Sequence, residues 1–256
     1  MDPDLALALS LAEASDDVTM KHFRTSFEVR TKSDRTPVTE VDEAVERLIR
    51  ERIERERPGD EIVGEEFGTT GAGVRRWIVD PIDATKNYIR GIPIFATLIA
   101  LEEKGRGDEG GQLLAGVVSA PALGRRWWAS RGEGAFCNGD RIQVSSVDTI
   151  HEAHFSYDDL AGFTKMGLES QFLAFVRACW RTRAFGDFWS HMLVAEGAID
   201  VAIEPEVALW DLAALQIVVE EAGGRFTSLG GIARPDRGSA VSTNRVLHDD
   251  VLKAFR

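Results

Sequence analysis

Two aspartates, Asp80 and Asp83, flank Pro81-Ile82 directly after the apolar run Trp77 to Val79, and Ala84-Thr85 follow. Such a run reads as a strand end, and proline cannot continue a central strand. Both carboxylates are therefore expected at a strand tip where the backbone turns. Carboxylates crowded together repel one another unless a cation sits between them. Hard oxygen donors of this kind suit Mg²⁺ rather than zinc. Three further acidic motifs accompany the pair: Lys32 to Asp42, Gly64-Glu65-Glu66, and Leu209-Trp210-Asp211 running into Glu221-Ala222-Gly223-Gly224. Each has an ordinary structural reading. Thr39-x-x-Asp42 fits a helix capping box, Glu65-Glu66 a solvated loop edge, Asp83 a helix cap, and Asp211 the positive end of a helix dipole. Five acidic candidates in four motifs favour a metal site over four unrelated roles, and capping and metal duties can coexist.

These motifs must be positioned by alternating helices and strands. Leu5, Leu9, Ala12 and Met20 lie near helical spacing and predict an opening amphipathic helix. A second helix is expected from about Thr39 to Arg55, with Val41, Val45, Leu48, Ile49 and Ile53 on one face. Glu and Arg residues such as Glu51 and Arg55 support it at i,i+4, and Pro58-Gly59 ends it. Strands are expected over 61–64, 76–79, 95–101, 113–120 and 125–129, with a Gly-rich hairpin loop from Gly105 to Gly111 and a tight turn at Asn138-Gly139. The second half predicts strands at 151–157 and 199–203 and helices at 168–180, 187–197 and 210–222, the last stopping at Gly223-Gly224. Short strands near 225–227 and 240–242 lead to a final helix ending at Phe255. Paired helices between groups of strands imply a layered α/β sandwich.

A chain of 256 residues can bury a sizeable core. Its net charge of −12 argues against nucleic acid or an anionic membrane as a partner. A phosphorylated substrate would also be repelled at long range, so its site needs local positive charge, which bound cations can supply. Cys137 and Cys179 stand far apart with no C-x-x-C and read as free thiols. No apolar run reaches the roughly 20 residues that span a bilayer. Met1 to Asp17 has neither a basic start nor a cleavage site, so no secretory leader is expected, and a reducing cytoplasm is the simplest compartment.

The stretch Asp80 to Thr85 resembles the D-P-[IL]-D-[GS]-T signature of the inositol monophosphatase family, the lithium-sensitive, Mg²⁺-dependent phosphatases. The other three motifs match that family in order and at compatible spacing, so the resemblance covers nearly the whole chain. Ala84 departs from the usual Gly or Ser. The resemblance implies a five-layer α-β-α-β-α sandwich in two packed halves, 1–147 and 148–256, and a homodimer. It implies two or three Mg²⁺ ions, with Mn²⁺ as a substitute. The matching ligands are Glu65, Asp80 and the Ile82 carbonyl for one ion and Asp80, Asp83 and Asp211 for a second; Glu65 and, through water, Asp42 border a third. Thr85 with Glu65 matches the pair that orients the attacking water, and Thr39 supports that network. The amides of Ala84 and Thr85 match the phosphate cradle. Ala84 keeps its amide but does not readily take a positive φ, so a turn demanding one would be strained.

The leaving group is read from the second half. Arg181-Thr182-Arg183-Ala184-Phe185-Gly186-Asp187, followed by Leu193 to Gly197, is similar to the histidinol-phosphate phosphatases of this family, as is Pro121 to Ala129. Asp187 caps a helix on the ordinary reading. An acid there also suits histidinol phosphate, whose ammonium and imidazole can be cationic, whereas inositol offers only hydroxyls. Asp187 and Glu204 are the expected contacts to those groups, and Arg183 pairs with an acid or supports the phosphate region. Trp189 and His191 read as packing residues rather than a stacking platform. The expected reaction is hydrolysis of L-histidinol phosphate. A broader inositol-1-phosphate phosphatase is the alternative, and a catalytically silent metal-binding regulator is the reading from another class.

Overall fold

The computed structural model describes residues 2–33, 36–105 and 110–256. The helices are α1 (Pro3–His22), α2 (Glu40–Glu56), α3 (Thr85–Ile89), α4 (Leu160–Lys165), α5 (Glu169–Ala178), α6 (Asp187–Ala195), α7 (Leu209–Glu221) and α8 (His248–Ala254). A small hairpin pairs β1 (Val29–Thr31) with β2 (Pro37–Thr39). The large sheet contains β3 (Glu61–Gly64), β4 (Gly68–Thr70), β5 (Arg75–Asp83), β6 (Ala96–Glu103), β7 (Gln112–Ala120), β8 (Arg125–Ser130), β9 (Gly134–Cys137) and β10 (Asp140–Ile142). Its order is β10-β9-β8-β7-β6-β5-β3-β4. The second sheet contains β11 (His154–Tyr157), β12 (Arg181–Arg183), β13 (Val201–Glu204), β14 (Arg225–Thr227) and β15 (Ala240–Thr243), ordered β12-β11-β13-β15-β14.

Side chains alternate across a strand, and that alternation builds the layers. Trp77, Val79, Ile99, Leu101 and Val117 point one way from the large sheet, onto Leu11 and Ala12 of α1 and Val45, Ile49 and Ile53 of α2. Ile78, Leu98, Ala100 and Val118 point the other way, onto Met192 of α6, Leu215 and Val218 of α7, and Ala202 of the second sheet. Val201 and Ile203 emerge from the far face of that sheet against Phe163, Phe172, Phe175 and Val251 of α4, α5 and α8. The outcome is the α-β-α-β-α sandwich that the motifs imply. No helix is long and apolar enough to cross a membrane among the described residues.

Several local expectations shift. Met20 is 41% exposed, and α1 instead buries Leu5, Ala8, Leu11, Ala12, Ser15 and Thr19. Arg55 pairs with Glu56 rather than Glu51. The turn expected from Gly105 to Gly111 lies largely outside the described residues, at 106–109, and positions 34–35 of the first motif do too. The hairpin β1-β2, strands β4 and β12 and helix α4 were not expected; each is short, and β1 and β4 are exposed throughout, so neither carries an apolar pattern. Both cysteines are free, as read.

Strand β5 does not end before Pro81. It runs on to Asp83, with Asp80 opposite Leu98 and Asp83 opposite Ala96. Three steps on β5 therefore face two on β6, which is a bulge, the one place inside a sheet where proline fits. Residues three apart would normally sit on opposite faces. The extra residue brings Asp80 and Asp83 to the same side.

A buried ion pair fixes the next acidic loop. Glu46, fully buried on α2, is bonded by Arg50 (2.7 Å) and receives the amides of Glu66 (2.7 Å) and Phe67 (3.1 Å). Gly64 makes this approach feasible, because a Cβ there would lie 2.1 Å from Glu46 Oε1. Gly64→Ala is expected to cost about 1–3 kcal/mol through overpacking against a buried charge. Chemical denaturation checks this; an unchanged midpoint would contradict it.

Candidate active site

The bulge, the Glu46-anchored loop and the first turns of α3, α6 and α7 meet around a cleft of about 400 Å³. Glu65, Asp80, Ile82, Asp83, Ala84, Thr85, Asp187, Glu204 and Asp211 all line it. Asp80, Asp83 and Asp211 each offer a carboxylate oxygen within 4.8 Å of the others. Each also has a structural duty. Asp80 Oδ1 accepts the Ile82 amide (2.9 Å) inside the bulge. Asp83 Oδ2 accepts the Phe188 amide in the first turn of α6 (2.9 Å), rather than capping α3. Asp211 Oδ2 accepts the Ala208 amide ahead of α7 (2.8 Å). In each case one oxygen is fixed by backbone and the other is left to the cleft.

Burial raises the pKa of all three, and neighbouring carboxylates raise it further. Asp80 and Asp83 stand well above the ordinary carboxylate range, pushed by burial and then chiefly by Glu65 and by Asp187 respectively. Asp211 is pushed up to about 7 by burial, with Glu65 and Glu204 adding to the effect. Crowded oxygen donors that resist ionisation alone are a setting that a hard divalent cation relieves.

Glu65 lies on the cleft wall, where its Oε1 accepts from Lys32 Nζ at 2.7 Å; Glu66 Oε1 does so at 2.8 Å. Burial opposes the charge on Lys32, yet these bonds hold its pKa above the ordinary lysine value. Thr39 and Asp42 sit behind the wall. Asp42 Oδ2 accepts the Thr39 amide (2.8 Å) and hydroxyl, completing the capping box of α2. Asp42 Oδ1 faces Thr85 Oγ1 at 3.4 Å, and Thr85 Oγ1 donates to the Ile82 carbonyl at 2.9 Å. Thr85 thereby links the bulge carbonyl to the buried acid, and capping and site roles meet in Asp42.

The far end of the cleft is acidic too. Asp187 and Glu204 line it, with exposed Asp158, Asp159 and Glu206 at the rim and Lys86 near enough to favour the charge on Asp158 and Asp187. Burial and Glu204 push Asp187 up to about 7. Arg183 is not brought into the cleft. It ends the edge strand β12, exposed, with Nη1 donating to the Thr182 carbonyl (2.7 Å). Lys32, Glu46 and the rim acids were not singled out from sequence. Glu46 had a signal: Asp42, Glu46 and Arg50 form an i,i+4 polar ladder beside the apolar face of α2. A larger groove of about 810 Å³ lies between α1 and β8, but its Asp16 is already engaged by Arg126 (2.6 Å) and Ser119 (2.8 Å).

Two cleft residues that are not glycine hold left-handed backbone, Ala84 at φ 64° and Asp187 at φ 47°. The turn into α3 does demand a positive φ, and Ala84 meets it under strain of about 1–2 kcal/mol. Ala84→Gly should therefore raise stability by up to about 1 kcal/mol and leave turnover within a few-fold. A gain on the order of 100-fold in kcat/KM, about 2.7 kcal/mol, would mean that the strain misplaces the amides.

Comparison with known proteins gives the family. A model of the inositol monophosphatase family matches residues 1–256. A histidinol-phosphatase of Mycobacterium tuberculosis is 54% identical over 97% of this chain and 96% of its own. One from Streptomyces coelicolor is 51% identical over 97% and 95%. Among solved structures, the Thermotoga maritima IMPase superposes with a TM-score of 0.88 at 31% identity, covering 99% of this chain and 97% of its own. The chain belongs to the inositol monophosphatase family.

Proposed function

We propose that this protein hydrolyses L-histidinol phosphate to L-histidinol and inorganic phosphate in histidine biosynthesis. The observation that carries this reading is a cleft acidic at both ends. Its inner end converges Asp80, Asp83 and Asp211, and its outer end presents Asp187 and Glu204. The two relatives above that share about half of the sequence are histidinol-phosphatases, which supports the same substrate.

Asp80, Asp83 and Asp211, joined by Glu65 and the Ile82 carbonyl, would hold Mg²⁺, in two or three ions, with Mn²⁺ able to substitute. The chemistry Mg²⁺ supplies when bound is charge neutralisation on the phosphate, acidification of a water and stabilisation of the departing alkoxide. The chain's own groups do the rest. The amides of Ala84 and Thr85 receive phosphate oxygens at the first turn of α3, which no side chain caps. Thr85 Oγ1 and Glu65 orient the attacking water, and Asp42, fixed by Thr39, steadies Thr85. Asp187 and Glu204 take the ammonium or imidazole of the leaving group, holding the ester in line for attack. Glu65 must give up some of its bond to Lys32 to share a cation, so Lys32 screens that carboxylate until one arrives.

The reading is tested by kcat/KM on histidinol phosphate, inositol 1-phosphate, fructose 1,6-bisphosphate and adenosine 3′,5′-bisphosphate. Preference for the first by at least about 10-fold, roughly 1.4 kcal/mol, is expected. Asp187→Asn should reduce that preference, and a flat panel would favour the broad inositol-phosphate phosphatase.

The raised pKa values also set a pH dependence. Asp42 titrates at about 6, and Asp187 and Asp211 at about 7, all above their unfolded values. Such groups favour the fold at low pH and lose that contribution as pH rises through the folded pKa. In EDTA, the melting temperature should therefore fall as pH rises from about 4 to about 7 on this account and level off above. Mg²⁺ should raise it more at pH 8 than at pH 5. A Mg²⁺ effect of equal size at both would oppose the carboxylate assignment.

A further inference from the structure

We infer that His191 is a positioning residue that holds Glu204 in place to receive the cationic end of the substrate. The inference rests on the reading above and adds a residue that the sequence assigned only to packing.

Glu204 ends β13 and is 4% exposed, yet its Oε1 has no hydrogen-bond partner among the described residues. Glu204 lines the cleft, and Oε1 is itself shielded from solvent behind that wall. Oε2 points inward to His191 Nε2 at 3.6 Å, and Nε2 also has no hydrogen-bond partner among the described residues. A buried polar atom without a partner costs about 1–3 kcal/mol, and a small closure onto Oε2 gives Nε2 the partner it lacks. His191 itself is fully buried. Its Nδ1 lies 2.7 Å from Ser242 Oγ on the neighbouring strand β15, and its ring packs 5.5 Å from Phe226.

These partners define a direction. If Ser242 donates its hydroxyl proton to Nδ1, the ring is the neutral tautomer that carries its proton on Nε2, aimed at Glu204. The imidazole then orients the carboxylate without burying a positive charge of its own. His191 so backs the Glu204 carboxylate in the cleft wall, as outer partners orient carboxylates and imidazoles at other sites. Helix α6 adds the geometry. His191 stands four residues after Asp187, one turn deeper on the same face, so a single short helix presents one acid to the substrate and supports the second.

Two substitutions of nearly equal polarity separate this role from packing. His191→Asn keeps a polar atom near Nδ1, toward Ser242, but does not reach Glu204. His191→Gln places an amide N–H near Nε2. KM and kcat are measured for histidinol phosphate and for inositol 1-phosphate, which has no cation, with melting temperature recorded alongside. His191→Asn is expected to raise KM for histidinol phosphate about 10-fold. Its kcat should stay within about threefold and KM for inositol 1-phosphate within about twofold, and His191→Gln should recover most of the loss. Equal losses on both substrates, no loss, or a glutamine variant as impaired as the asparagine one would overturn the inference. The wild-type ratio for the two substrates tests the proposed reaction separately, so failure there is distinguishable from failure here.

Discussion

Mutual repulsion among buried carboxylates is the constraint around which this molecule is arranged. Asp80, Asp83 and Asp211 bring oxygens within 4.8 Å of one another on the cleft wall, the first two buried and Asp211 half-buried. Taken alone that arrangement is unfavourable, and the raised pKa values of all three express the cost. The fold sustains it because each acid is anchored by a backbone amide from a different element: the bulge itself, the start of α6 and the start of α7. The sandwich supplies the opposing stability in three apolar clusters, two of which reach the acids through Ile82 and Phe188. Two of the non-glycine residues with positive φ, Ala84 and Asp187, lie in the cleft, which agrees with a site that is held in shape by its surroundings.

The bulge in β5 shows how sequence and function share one device. A proline inside a central strand is costly unless the ladder is already broken there. Breaking it with one extra residue re-aims Asp83 to the side of Asp80. Pro81 therefore belongs in the strand, and its carbonyl is still used, accepting from Thr97 Oγ1 at 2.8 Å. The sequence reading took Pro81 as the strand's end because a pattern of residue types reports periodicity but not register.

That distinction explains what was legible. Acids in ordered motifs, the apolar alternation of β5, β6 and β7, and the Gly223-Gly224 stop after α7 are local patterns, and the layered α/β class followed from them, whereas the layer order and the expected ligand set came from the family resemblance. Residues whose importance depends on a distant partner were not legible. Glu46 matters because Gly64 lets it reach the amides of 66 and 67, and Lys32 because a hairpin with no apolar pattern carries it to Glu65. Arg183 shows the reverse error: adjacency to Asp187 in sequence suggested a shared site, but the chain leaves an exposed edge strand before it turns at Gly186 into α6. Ala84 was legible as a conflict, not as an outcome; only the observed φ of 64° shows that the turn geometry prevailed over the residue's preference.

The two ends of the cleft also bear on selectivity. A chain of net charge −12 does not draw a phosphate dianion by its overall field, so the inner acids need cations before they can hold one. The outer acids face a different problem. On the proposed function, a neutral polyol would offer Glu204 and Asp187 hydroxyl donors alone, a weaker match than a cation for one buried and one half-buried acid. An ammonium or imidazolium offsets them directly, and a molecule carrying phosphate at one end and a cation at the other is oriented by the cleft before any contact forms. A dipolar ester is thereby favoured twice, once in the direction of its approach and again in the pairing of its buried end. Removing either acid should weaken both effects together, because the same charges produce them.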